Sequence, residues 1–173
     1  MSNSGEEKAM RKTTIELYKE DQKFSAGHFT IFSASERENL HGHNFQVWVS
    51  LTGTVDDNGM LFDYVAYKKK IRDLCVAWNE TFLLPSSSPF LKIEETEKEV
   101  CCRFSDEVLR FLRRDVTLLP VRNVTLEELS RHFGERLTED VALLQNDGVH
   151  QVLVKVASGP GQWASWAFET PRA

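Results

Sequence analysis

Regular alternation of apolar and polar positions begins at Thr13. TTIELYKED alternates, KFSAGHFTIF carries a dense load of β-branched and aromatic residues, and HNFQVWVSLTGTV sets Phe45, Val47, Val49 and Leu51 on one side. A period of two predicts strands. The polar stretch SASEREN separates the two long segments and DDNG at 56–59 is a turn signal, so they are expected to form an antiparallel pair. The period then changes. Tyr67, Ile71, Leu74, Cys75 and Trp78 recur at helical spacing behind a candidate N-cap at Asp63, with Lys68, Lys69 and Lys70 on the solvent side and an end near Asn79. From Phe90 to Leu119 the pattern predicts short strands with a turn near Ser105 and Asp106, and residues 86–124 are taken as an elaboration between two helices. The second helix is expected to start at Thr125, in capping-box spacing with Glu128. Its stripe of Leu126, Leu129, Phe133, Leu137, Val141 and Leu144 runs on to NDG at 146–148. VHQVLVKVAS and WASWAF close the chain as two strands around the loop GPGQ, and Trp163 and Trp166 in the last are assigned to an interface between copies. The succession predicts an α+β domain, an antiparallel four-stranded sheet with two helices on one face plus a short β elaboration. Residues 1–12 are expected to be a flexible tail, and 13–173 a single domain.

Composition narrows the function classes. With 173 residues, 41% hydrophobic and 27% charged, the chain can bury a core, which excludes disorder and a small disulfide scaffold. A net charge of -5 argues against nucleic acid and anionic membranes as partners, since both call for a basic face. No apolar run approaches the roughly 18 residues of a membrane span, and MSNSGEEKAMRKTT lacks a signal-peptide core, so the expected compartment is the cytoplasm. The three cysteines are odd in number and Cys101 and Cys102 are adjacent, which suits neither a disulfide framework nor a CxxC knuckle.

Three of the five histidines, His28, His41 and His43, fall within sixteen residues. On a strand, positions i and i+2 face the same way, so HGH at 41–43 presents two imidazoles to one side. A hairpin closed by SASEREN brings His28 beside them. Three neutral imidazoles without a fourth protein ligand make a catalytic-type Zn2+ site with a position open for water or substrate. Such a site polarises a bound carbonyl or hydroxyl. His132 and His150 have no ligand partner nearby in sequence and are given structural roles.

FSAGH, LHGHNF, GMLFDY before a lysine-bearing helix, FLLP at 82–85, NVTLEELSRHF and VLVKV together resemble the 6-pyruvoyltetrahydropterin synthase family, which includes the 6-carboxytetrahydropterin synthases of queuosine biosynthesis. The similarity runs from about residue 13 to 167. It implies a tunnelling fold and a homo-oligomeric barrel, trimer or hexamer. It also implies zinc held by His28, His41 and His43, and a carbon-oxygen or carbon-carbon lyase acting on dihydroneopterin triphosphate or a related reduced pterin.

The departures from the family pattern define the candidate site residues. Where typical members carry a reactive Cys, four residues before HGH, this chain has Arg37, flanked by Glu36 and Glu38. A branch of the family uses Glu in that neighbourhood, which makes either carboxylate a candidate base. The Asp-His pair expected after the first helix reads Asn79 and Glu80, and Glu80 becomes a third candidate base if burial raises its pKa. The Glu that anchors the pterin on the late strand is absent, leaving Ser158 and Gln162 for the heterocycle edge, with Thr125 matching a family threonine near the pterin. Arg37 is assigned to a local positive patch for the triphosphate. The alternative function is a non-catalytic zinc-containing relative that binds a pterin or purine and has lost the usual Cys, Asp-His pair and Glu.

Overall fold

The computed structural model describes residues 11–172. Most of the predicted tail lies outside these residues, but its last position, Lys12, already pairs with Thr54. The ten strands are β1 (Lys12–Leu17), β2 (Lys23–His28), β3 (His41–Thr54), β4 (Thr81–Pro85), β5 (Leu91–Glu95), β6 (Glu99–Phe104), β7 (Glu107–Leu112), β8 (Val116–Leu119), β9 (Val149–Gly159) and β10 (Gln162–Glu169). The helices are α1 (Val65–Trp78), α2 (Leu126–Leu137) and α3 (Val141–Asn146).

The main sheet has seven strands rather than the expected four, in the order β10-β9-β3-β2-β4-β8, with β1 also paired to β3. The β1, β2, β3, β9 and β10 pairings are antiparallel as expected, whereas β2 with β4 and β4 with β8 are parallel. The difference comes from β1 pairing as a strand of its own, from β4 just after α1, and from β8 within the elaboration. Only β5, β6 and β7 form a separate antiparallel sheet, while β8 returns to extend the main one. The turn between β6 and β7 falls at Ser105, with φ 52.

α1 carries Tyr67, Ile71, Cys75 and Trp78 into the core and ends at Asn79 as its pattern predicts. Its N-cap is Tyr64, one residue later than the expected Asp63 and without a side-chain bond, while Asp63 accepts from the Val65 amide at 3.0 Å. The second helix is two. Thr138 bonds back to the Gly134 carbonyl, and Asp140 starts a new helix by accepting from Leu143 N. The apolar period survives the break because Leu137 and Leu144 enter the same core. At the start of α2, Thr125 accepts from Glu128 N at 3.4 Å, but the Glu128 carboxylate turns to Arg122 N and Arg131, so only half of the capping box forms.

The helices cover one face of the sheet, α1 against β2, and α2 against β9 and β10. Phe24 stacks on Phe45 at 4.9 Å, and Trp78 meets Phe24 and Phe133 edge-on at 5.3 and 5.4 Å. Gly134 allows α2 to approach β10, because a Cβ there would overlap the Trp166 indole. Trp166 thus packs partly against α2 within the chain, while Trp163 is 56% exposed. All three cysteines are buried and free, and burial pushes the Cys75 and Cys102 thiols up to about 12 and 11, which makes them poor nucleophiles. His132 stacks on Trp78 and His150 contacts Thr54, structural roles as expected.

Candidate metal centre

The β2–β3 register sets His28 opposite His41, Gly27 opposite Gly42 and Ala26 opposite His43. Strand alternation then turns Phe24, Ala26 and His28, with His41, His43 and Phe45, toward the helix-covered side. Gly27 is required on the other side, where the Phe82 ring occupies the space of a Cβ. The imidazole centroids lie 4.5, 4.9 and 5.2 Å apart, and one ligand atom from each ring falls within 4.8 Å of the others.

Two backbone carbonyls fix the rings. His28 Nδ1 donates to the Val124 carbonyl and His41 Nδ1 to that of Asn39, each at 2.9 Å. In these tautomers Nε2 carries the lone pair. His28 Nε2 is buried and has no hydrogen-bond partner, an arrangement that costs free energy unless a ligand sits there. The residues thus fit a metal ion. Burial lowers the His28 pKa most, against the Val124 bond and with help from the charges of His41 and His43. Burial, then His41, lowers that of His43. Both groups are held neutral, the state in which imidazole ligates.

The rings open into a cleft of about 260 Å³ that is also lined by Thr30, Glu38, Phe45, Thr125, Leu126, Glu127, Ser158 and Gln162. The predicted trio of Thr125, Ser158 and Gln162 is therefore brought together, and Gln162 Nε2 donates to Ser158 Oγ at 3.1 Å. Of the three candidate bases only Glu38 lines this cleft. Its Oε2 accepts from Thr30 N at 2.9 Å and lies 3.9 Å from His41 Nε2. Burial alone would raise its pKa, but the Thr30 hydrogen bonds outweigh that, with the imidazoles of His41 and His28 adding, and the carboxyl is held below its ordinary value.

The others are placed elsewhere. Glu36 is exposed, and its carbonyl closes the turn by accepting from Phe32 and Ser33. Glu80, at φ 57, lines a second hollow of about 450 Å³ with Ser25, Gly27, Gly42, Asn44, Phe82 and Asp115; His43 borders both. Arg37 turns away from the cleft toward Glu107, at 2.7 Å, so the expected cationic patch is not formed by this residue. Sequence reasoning missed Glu127, although it stands two residues after Thr125 in the first turn of a helix whose start was recognised.

The 6-pyruvoyl tetrahydropterin synthase family model matches residues 16–168. An inferred 6-carboxy-5,6,7,8-tetrahydropterin synthase of Methanocaldococcus jannaschii is 24% identical over 145 residues, covering 83% of this chain and 88% of that protein. The crystal structure of 6-pyruvoyl tetrahydropterin synthase from Plasmodium vivax is 27% identical with a TM-score of 0.86, covering 92% of this chain and 99% of that one. The Plasmodium falciparum enzyme is 28% identical, again with a TM-score of 0.86, over 91% and 98% of the two chains. Two further structures of the P. vivax enzyme replace a glutamate, described there as a catalytic residue, by Ala or Cys. With the match spanning nearly the whole described fold and the three histidines converging as its motif implies, the chain belongs to the 6-pyruvoyl tetrahydropterin synthase family, a family of lyases.

Proposed function

We infer that the protein is a zinc-dependent lyase acting on dihydroneopterin triphosphate or a related reduced pterin, with Glu38 as the base. The observation that carries this reading is Glu38 standing 3.9 Å from His41 Nε2, in the cleft onto which all three imidazoles open. Three neutral imidazoles suit Zn2+, which when bound would supply a Lewis acid for a side-chain hydroxyl or carbonyl of the substrate.

Glu38 is ionised at neutral pH and accepts a proton from the side-chain carbon next to the ring. In the elimination branch, the electron pair of that C–H bond passes into the adjacent C=N bond of the ring, whose nitrogen takes up a proton. A second proton is then taken from the carbon next to the one bearing the triphosphate, and that C–H electron pair forms the new double bond as the C–O bond breaks and the triphosphate leaves with its bonding pair. The carbon-carbon branch gives a 6-carboxy product from the same site. A glutamate acting as a catalytic residue in the P. vivax relative supports a carboxylate in this role. At the ring, Ser158 and the Gln162 amide offer a donor and an acceptor, Glu127 offers a carboxylate for paired N–H groups, and Thr125 a hydroxyl.

An aromatic face of exposed Tyr18 and Trp163 around half-buried Trp48, with Tyr18 stacked on Trp48 at 4.0 Å, supports a homo-oligomeric barrel of the tunnelling type, trimer or hexamer. No helix among the described residues is long and apolar enough to cross a membrane, which is compatible with action in the cytoplasm.

Zinc-loaded protein incubated with dihydroneopterin triphosphate is expected to release triphosphate or to change the pterin. Glu38→Gln should slow this by roughly 100-fold or more. Stoichiometric binding of the pterin without any product would instead establish the non-catalytic binding reading.

A further inference from the structure

We propose that Arg37 is a positioning residue, which fastens the Glu38-bearing loop to the three-stranded sheet β5–β7 and so sets where that carboxylate stands. The proposal rests on the reading of Glu38 as base.

Residues 29–40 leave β2 at His28 and must return to β3 at His41. The segment folds on itself through an Ile31–Arg37 bridge and a bond from Glu38 N to the Thr30 carbonyl at 2.8 Å. Its tip projects, with Phe32 59% exposed. Two fastenings hold this hairpin to the body. On one side Asn123 brackets Ile31, accepting from its amide and donating to its carbonyl at 3.0 and 2.8 Å. On the other side stands Arg37. Its Nη1 donates to the Glu38 carbonyl at 2.8 Å while Nε donates to Glu107 Oε2 at 2.7 Å. Its guanidinium carbon lies 5.2 Å from the Phe29 ring centroid and 5.9 Å from that of Phe104.

The Arg37 side chain is 13% exposed, against 50% for Glu107, so the cation is largely enclosed between two rings and two acceptors. Both backbone polar groups of Glu38 are thereby fixed, the amide by Thr30 and the carbonyl by Arg37. A planar guanidinium donates in fixed, diverging directions while lying on aromatic faces; an ammonium is a compact charge whose donors are not set in a rigid fork and whose head does not stack. The sheet β5–β7 contributes nothing to the lining of the cleft, so Arg37 and its Glu107 partner are the polar route by which that sheet acts on the site.

The test compares Arg37→Lys and Glu107→Gln with the wild type in the full metal-loaded chain, with dihydroneopterin triphosphate as probe. Both variants are expected to keep the metal stoichiometry and to show faster amide hydrogen exchange confined to residues 29–40. Arg37→Lys is expected to lose roughly 10- to 100-fold in kcat with little change in KM, as a small misplacement of a catalytic group predicts. Glu107→Gln should show a smaller loss in the same direction. If Arg37→Lys does not fold, the half-exposed Glu107 variant carries the test. Unchanged exchange at 29–40 in the folded variants overturns the proposal, as does unchanged kcat where Glu38→Gln is inactive. If Glu38→Gln keeps full activity, or if the wild type leaves the probe unchanged, the base reading fails instead, and the exchange data alone decide whether Arg37 holds the loop.

Discussion

Two apolar clusters meet at the candidate metal site, and they hold different parts of it. The first lies between the main sheet and the helices and includes Phe24, Phe45, Val47, Ile71, Trp78, Leu129 and Phe133. The second lies between the β4–β8 end and the three-stranded sheet and includes Phe29, Ile31, Leu84, Leu91, Val100, Cys102 and Phe104. The boundary runs between adjacent residues. His28 belongs to the imidazole face that continues the first cluster, whereas Phe29 begins the second. Ligand geometry is thus inherited from one core, and the position of the proposed base from the other.

Four substitutions break or sharpen that division. His28→Ala should have the largest effect, abolishing stoichiometric metal binding in direct metal analysis, because it removes the buried ligand and leaves the Val124 carbonyl without its donor. Next, Phe133→Ala should lower global stability by about 3–5 kcal/mol in denaturant titrations, by opening a cavity under the sheet. Leu91→Ala, in the second cluster, should cost about 2–3 kcal/mol, near the lower end for such truncations. It should also slow turnover while metal content holds. Loss of metal in this variant would show that the two clusters act as one.

The smallest effect concerns His132. Burial lowers its pKa, with Arg131 and Arg136 acting in the same sense and Glu135 and Glu128 against it. Below the ordinary value of 6.5 the unfolded chain takes up a proton that the folded protein resists. This contribution to stability is therefore intact above about 6.5 and is lost as pH falls through the lowered folded value. His132→Gln should flatten the stability profile in that window. The profile is measured on metal-loaded protein, where the three ligand imidazoles are not free to titrate.

What the sequence made legible was local. The HxH period, the glycine between the pair and the hairpin distance to His28 all lie within sixteen residues, and they were enough to place the imidazoles together. Thr125, Ser158 and Gln162 came from matching whole segments, and they do converge on one cleft. β4 went unread, and β8, which lies within the short strands expected up to Leu119, was not placed in the main sheet, because their parallel pairing joins residues more than thirty positions apart and leaves no alternation to see. Glu36 and Glu38 were indistinguishable as letters. Their difference is made by the turn, which points one to solvent and gives the other the Thr30 amide. Arg37 showed only as a charge, since the partner that draws it off the cleft is Glu107, seventy residues on. The carbonyls of Val124 and Asn39 have no signature at all, because any residue supplies one.

The bond from His28 to Val124 spans 96 residues, whereas the three imidazoles span sixteen. During synthesis the hairpin with its three histidines leaves the ribosome roughly 4 to 16 s before the carbonyl that locks the His28 tautomer. Until then the ring is free to present either nitrogen. Maturation of the site waits on the arrival of the second helix, and a chain halted before residue 124 carries every ligand but not their alignment.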